Sequence, residues 1–189
     1  MKEQCSNTST DNRTKPMIYV ASLADYNAGT LFGRWIDASQ SADCIRSDIT
    51  ALLAESNEPV AEEWAIHDYE GFEDLRLSEF EDLDAVSSIA QSIVEHGPLF
   101  ASLVGHFGGT EHIEEARRYM DEAYQGSFDD LAGYAEELIS DCWAEVVRRL
   151  PDFIRYHIDY AGIAEDMEMN GEIFTIPADG MLHVFCGCL

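Results

Sequence analysis

The chain has 189 residues, 46% of them hydrophobic, with 37 acidic against 11 basic side chains and a net charge of −26. That length accommodates one or two domains, and three Trp, eight Tyr and nine Phe supply a real core and exclude a disordered acidic tail, which would be poor in aromatics. Both lysines, Lys2 and Lys15, lie in the first fifteen residues, so beyond them arginine is the only permanent cation.

Residues 1–16 are polar, with Lys2, Arg13 and Lys15 against Glu3 and Asp11, and read as a disordered tail. The polar start has no apolar central region, so no secretory signal is expected there. From Met17 the elements follow in order. Ile18–Leu23 is a β-rich run stopped by Asp25–Gly29, and Leu31–Ile36 is a second strand, so the pair predicts a hairpin with a longer loop. Ser41 or Asp43 can cap a helix through about Glu55 with Ile45, Ile49, Leu52 and Leu53 on one face. Glu63–Asp68 alternates as a third strand. This first unit, residues 17–76, reads as β-β-α-β.

A helical unit follows over 77–122. Ser78-Glu79-Phe80-Glu81 has capping-box form. Leu83, Val86, Ile89, Ala90, Ile93 and Val94 make an apolar stripe that ends at His96-Gly97. Pro98 opens the next helix, with Leu99, Phe100, Leu103, Val104 and Phe107. Gly108-Gly109 stops it, and Thr110 can cap a third helix through Tyr124. In the last unit, 123–189, Ser127 caps a helix from Phe128 to about Leu150, stopped by Pro151. A shorter helix covers Tyr160–Met169, and Ile173–Ile176 with Met181–Phe185 forms a β-hairpin. The fold class is α+β.

The charge is unevenly placed. Residues 17–54 carry four carboxylates against two arginines, whereas Glu55 to Asp84 holds twelve carboxylates and one arginine, Arg76. Asp68, Glu70, Glu73 and Asp74 follow the third strand, and Glu79, Glu81, Asp82 and Asp84 lie at the next helix start. Glu111, Glu114 and Glu115, Arg118, and Asp121 and Glu122 recur every three or four residues and share a helix face. Asp130, Glu137, Asp141 and Glu145 form another row. Carboxylates at these spacings stand about 5–6 Å apart, close to the phosphates of a nucleic-acid strand. Taken alone, each row reads as a solvated helix face. A near-absence of intrahelical ion pairs is expected, at a cost in stability. Self-repulsion on this scale weakens a compact fold, so another requirement maintains it. Duplex DNA carries about one charge per 1.7 Å, so the net charge matches roughly 44 Å of duplex. This is the charge of a molecule that imitates nucleic acid and does not bind it.

Catalytic motifs are absent: no Gly-rich phosphate loop, no G-x-S-x-G and no H-E-x-x-H. Glu111-His112-Ile113-Glu114-Glu115 and His183 to Cys188 supply metal-ligand types at no standard spacing, so no metal, no cofactor and no enzymatic activity is expected. Five cysteines, an odd number, fit a reducing cytoplasm, and Cys44 and Cys142 read as core residues on apolar helix faces. No apolar run reaches the roughly 18 residues of a membrane span. Two competing readings are an acidic, salt-adapted binding domain with an unrelated protein partner, and a divalent-metal hydrolase.

Tyr19–Gly29, Gly33-Arg34-Trp35-Ile36-Asp37 and Glu62–Phe72, with Tyr134–Leu138, Tyr156–Tyr160, Phe174–Ile176 and His183–Phe185, resemble the ArdA antirestriction proteins of plasmids and transposons over residues 17–189. The resemblance implies an elongated, curved protein of three small domains that dimerises through the last. It implies a DNA mimic that occupies the DNA-binding groove of type I restriction-modification enzymes and protects incoming mobile DNA. The family's antirestriction motif falls on the long helix, roughly 138–150, where Leu138, Ile139, Asp141, Cys142, Trp143, Glu145, Val146 and Leu150 lie. That helix carries a broad apolar stripe, which serves either a second interface or burial under the hairpin.

Overall fold

The computed structural model describes residues 15–189. Most of the expected tail lies outside them. Its last two residues pack: Pro16 accepts a hydrogen bond from Ala38 N–H at 3.0 Å, and Lys15 pairs with Asp37 at 3.3 Å.

Strand β1 (Met17–Ser22) pairs antiparallel with β2 (Gly33–Asp37) on one side and β3 (Trp64–Glu70) on the other, giving the order β2-β1-β3. The loop of the β1–β2 hairpin holds a short helix, α1 (Leu23–Asn27), capped by the Ser22 hydroxyl. Ile18, Val20, Ile36 and Ile66 form the inner face, covered by Ile45, Ile49 and Leu52 of α2 (Ala42–Ala54). Ser41 caps α2 by accepting from Cys44 N–H.

Three helices follow. α3 (Leu83–His96) begins at the Asp82 cap, not at Ser78. The reciprocal bond of the capping box is made, Ser78 N–H to Glu81 at 3.0 Å, but in a turn that ends before the helix. α4 (Pro98–His106) starts on the proline and is entirely apolar on its inner side. The Thr110 hydroxyl donates to Glu81 at 2.9 Å instead of capping a helix, so residues 110–112 form one 3-10 turn before α5 (Ile113–Glu122).

The last part differs most from expectation. Tyr124 and Ser127 belong to a strand, β4 (Tyr124–Phe128), which adds a third member to the predicted hairpin of β5 (Ile173–Ala178) and β6 (Met181–Cys186), in the order β4-β6-β5. Short-range patterning shows no partner for residues 124–128, because β6 lies some sixty residues on. The long helix α6 (Leu131–Arg148) is therefore capped by Asp130, which accepts from Gly133 N–H at 2.8 Å. It is kinked at Trp143, whose φ, ψ of −128°, 21° leave the helical region. A one-turn α7 (Asp152–Arg155) and α8 (Tyr160–Met169) complete the chain. The α+β class holds.

One face of the second sheet carries Phe174, Ile176 and Phe185, which join the main core. Phe174 stacks on His106 at 4.8 Å and on Phe185 at 5.1 Å. The opposite face, Ile173 and Val184, packs on Tyr134, Leu138 and Met167 of α6 and α8. The main core is continuous from Ile18 through α3 and α4 to Phe185, across the ranges 17–76, 77–122 and 123–189. Cys44 and Cys142, expected in the core, are both exposed. Cys44 is next to the buried Ile45 but turned to solvent, and Cys142 lies in the second half of α6, where no residue is buried. No helix of the described residues is long and apolar enough to cross a membrane.

Candidate functional site

The acidic stretch after the third strand owes its exposure to a register shift. Val20 pairs with Ile66, but Tyr19 pairs with Asp68, so His67 is an extra residue in the β1–β3 ladder. Side chains alternate strictly along a strand, so with Ile66 facing inward, Asp68 would also face the core. The bulge reverses that parity. Asp68 joins Tyr19 on the outer face, Tyr69 turns inward against Phe72, and Glu70 follows Asp68 outward.

The loop beyond β3 is built the same way. Phe72 and Leu75 are buried and tied by a Leu75 N–H to Phe72 O bond at 3.0 Å. Between these anchors Glu73 and Asp74 are exposed, with Glu73 at a φ of 50°. Asp68, Glu70, Glu73 and Asp74 carry no ion pair among the described residues. The next four differ. Glu79 is exposed. Glu81 is half-buried, holding Ser78 N–H and the Thr110 hydroxyl, and Asp82 caps α3. Asp84 is neutralised by Arg46, whose guanidinium also bonds Asp43 at 3.1 Å. These contacts raise the Arg46 pKa, the bond to Asp84 most of all.

On α5, Ile113 and Ala116 face the core, so Glu114, Asp121 and Glu122 point to solvent, with Glu111 on the preceding turn. Glu115 is half-buried and bonds His112 at 3.1 Å, and Glu114 pairs with Arg117 at 2.9 Å. Arg117 further reaches Ser88 and Ser92, stitching α5 to α3.

On α6 the apolar stripe divides. Tyr134 and Ala135 are buried, and Leu138, Ile139 and Leu150 are half-buried. Asp141, Cys142, Glu145 and Val146 are exposed, as is Trp143 at 52%. Phe153 and Tyr156 of the following turn are exposed as well.

Intrahelical pairs are more common than expected. Arg46–Asp43, Arg117–Glu114, Arg148–Glu145 and Arg155–Asp152 are all three residues apart. Arg46, Arg117, Arg148 and Arg155 are therefore each neutralised by a carboxylate of their own helix. Each such exposed pair contributes only about 0.2–1 kcal/mol.

Sequence reading missed Asp25, a buried carboxylate at the α1 start that accepts from the Ser56 hydroxyl at 2.6 Å. Hydrogen bonds from Ser22 first and Ser56 second hold its pKa below the ordinary 3.8. A depressed folded-state pKa contributes stability that is present above the unfolded value and lost as pH falls through the folded one. We expect Asp25→Asn to destabilise at pH 7 and to approach wild type as pH falls below 3.8, read as urea midpoints across pH. An offset that stays constant with pH would refute the ionised role.

The family described as "Antirestriction protein (ArdA)" has a sequence model that matches residues 18–181. No curated protein matches the chain. A match of that extent, over the first sheet and every helix described above and ending at the first residue of β6, places the chain in the ArdA antirestriction family.

Proposed function

We propose that this antirestriction protein works as a DNA mimic and catalyses nothing. Its carboxylates stand for phosphates, occupy the DNA-binding groove of a type I restriction-modification enzyme, and so protect incoming mobile DNA in the cytoplasm. The observation that carries this reading is the outward-facing set Asp68, Glu70, Glu73 and Asp74, held between the bulge and the buried Phe72 and Leu75. Carboxylates fixed in advance lose little ordering entropy on binding. A field of this sign steers a basic groove toward it at long range and weakens with salt. Glu79, Glu111, Glu114, Glu115, Asp121 and Glu122 extend the surface. Asp82 and Asp84 belong to it mainly by holding its shape, and Glu81 holds that shape while keeping further acceptor sites.

The functional unit in this reading is a homodimer of chains arranged as the three units 17–76, 77–122 and 123–189. The second half of α6 supplies the interface, since Trp143, Val146, Phe153 and Tyr156 are four large apolar side chains left exposed within residues 143–156. Trp143→Glu is expected to give a folded monomer in sedimentation velocity. A dimer that survives the change moves the interface elsewhere.

The deciding experiment titrates the protein against a type I restriction-modification enzyme holding labelled duplex, at low and moderate salt. Near-stoichiometric displacement that weakens with salt is the expected result. No displacement by folded protein would sink the mimic mechanism.

A further inference from the structure

The surface between β3 and the start of α3 is not only charged. Phe80 is 68% exposed and borders a cleft of about 770 Å³ that Trp64 also lines. Two backbone bonds frame it. Ile66 N–H donates to Glu79 O at 2.9 Å, laying Phe80 beside the outer edge of β3, and Leu23 N–H donates to Glu63 O at 3.0 Å. Glu62, Glu63, Glu81 and Asp82 also line it, with Leu23 and Leu83. Glu81 is fixed by Ser78 and Thr110, yet two bonds leave its carboxylate with further acceptor sites. Arg46 also borders the cleft, but Asp43 and Asp84 engage its guanidinium.

A row of phosphate stand-ins has no use for an exposed ring such as Phe80 beside the half-buried Trp64. Two aromatic residues and several carboxylates lining one cleft are instead the complement of a guanidinium, which is planar and weakly hydrated, stacks on rings and forks its donors to carboxylates. An ammonium is a strongly hydrated point charge and gains less from the rings. We infer that this cleft receives an arginine side chain of the inhibited protein, held against Trp64 and Phe80 and bonded by the Glu62, Glu63 and Glu81 carboxylates. The inference rests on the reading that the partner presents a basic DNA-binding surface. It adds a selectivity for arginine over lysine that a diffuse acidic field lacks.

The test titrates the full chain with N-acetyl-arginine methylamide and, separately, N-acetyl-lysine methylamide, following the indole N–H signals of Trp35, Trp64 and Trp143 by NMR. The arginine probe is expected to shift Trp64 saturably and about threefold more tightly than the lysine probe. Phe80→Ala, which removes an exposed ring and spares the core, is expected to abolish that preference. It should also weaken displacement of DNA from the restriction enzyme about threefold, with Phe80→Tyr retaining it. Equal response to the two probes, or a Trp64 shift no larger than those of Trp35 and Trp143, overturns the arginine cleft. Probe selectivity without any displacement of DNA keeps the cleft and sinks the restriction-enzyme partner. Displacement without selectivity sinks the cleft alone.

Discussion

Replacing Asp68, Glu70, Glu73 and Asp74 together with their amides is expected to weaken displacement of duplex from a type I restriction-modification enzyme about thirtyfold. The figure follows from four exposed contacts at about 0.5 kcal/mol each, about 2 kcal/mol together. Each single amide should change displacement by no more than about twofold, because a distributed field tolerates one loss. Folding stability should stay level or rise slightly, since these four side chains pair with no cation among the described residues and their mutual repulsion is removed. The loss should also shrink as salt is raised, because screening already weakens the same contacts in the unmodified chain. Undiminished displacement by a folded quadruple variant would remove this stretch from the binding surface.

Phe185→Ala is expected to cost about 3–5 kcal/mol of stability. Phe185 is fully buried in the central strand of the second sheet, stacked on Phe174 at 5.1 Å and against Tyr124 at 5.2 Å. It sits where that sheet meets the core of α4 and α5, so its loss leaves a cavity that rigid strands on both sides cannot close. The check is urea unfolding at pH 7, and at about 2–4 °C per kcal/mol the melting temperature should fall on the order of 10 °C. Charge is unchanged, so the variant should still displace DNA at temperatures where it is folded. A loss below about 1 kcal/mol would mean that the sheet does not depend on this contact.

Elements whose signals are local were legible in the sequence. The Ser41 cap, the α3 stripe, Pro98 at a helix start and the span of α8 each depend on residues within a turn or two of one another. Strand β4 was missed because its pairing is with β6, and only that remote partner turns a helix-compatible stretch into a strand. The Ser78–Glu81 pattern has the form of a helix start, and its reciprocal bond is made. The helix waits for Asp82 because the Glu81 carboxylate is drawn to Thr110.

By itself the sequence determined the α+β class, the acidic character, the concentration of carboxylates from Glu55 to Asp84, and the residues by which the family is recognised. These are properties of composition and short-range order. Tertiary structure alone decided which of these carboxylates face outward and which are engaged by neighbours. A one-residue bulge turned Asp68 and Glu70 outward, Arg46 crossed from α2 to neutralise Asp84, and Thr110 claimed Glu81. Side-chain parity along a strand and the choice of an ion partner both depend on what lies across a gap of tens of residues. Local pattern does not carry that information.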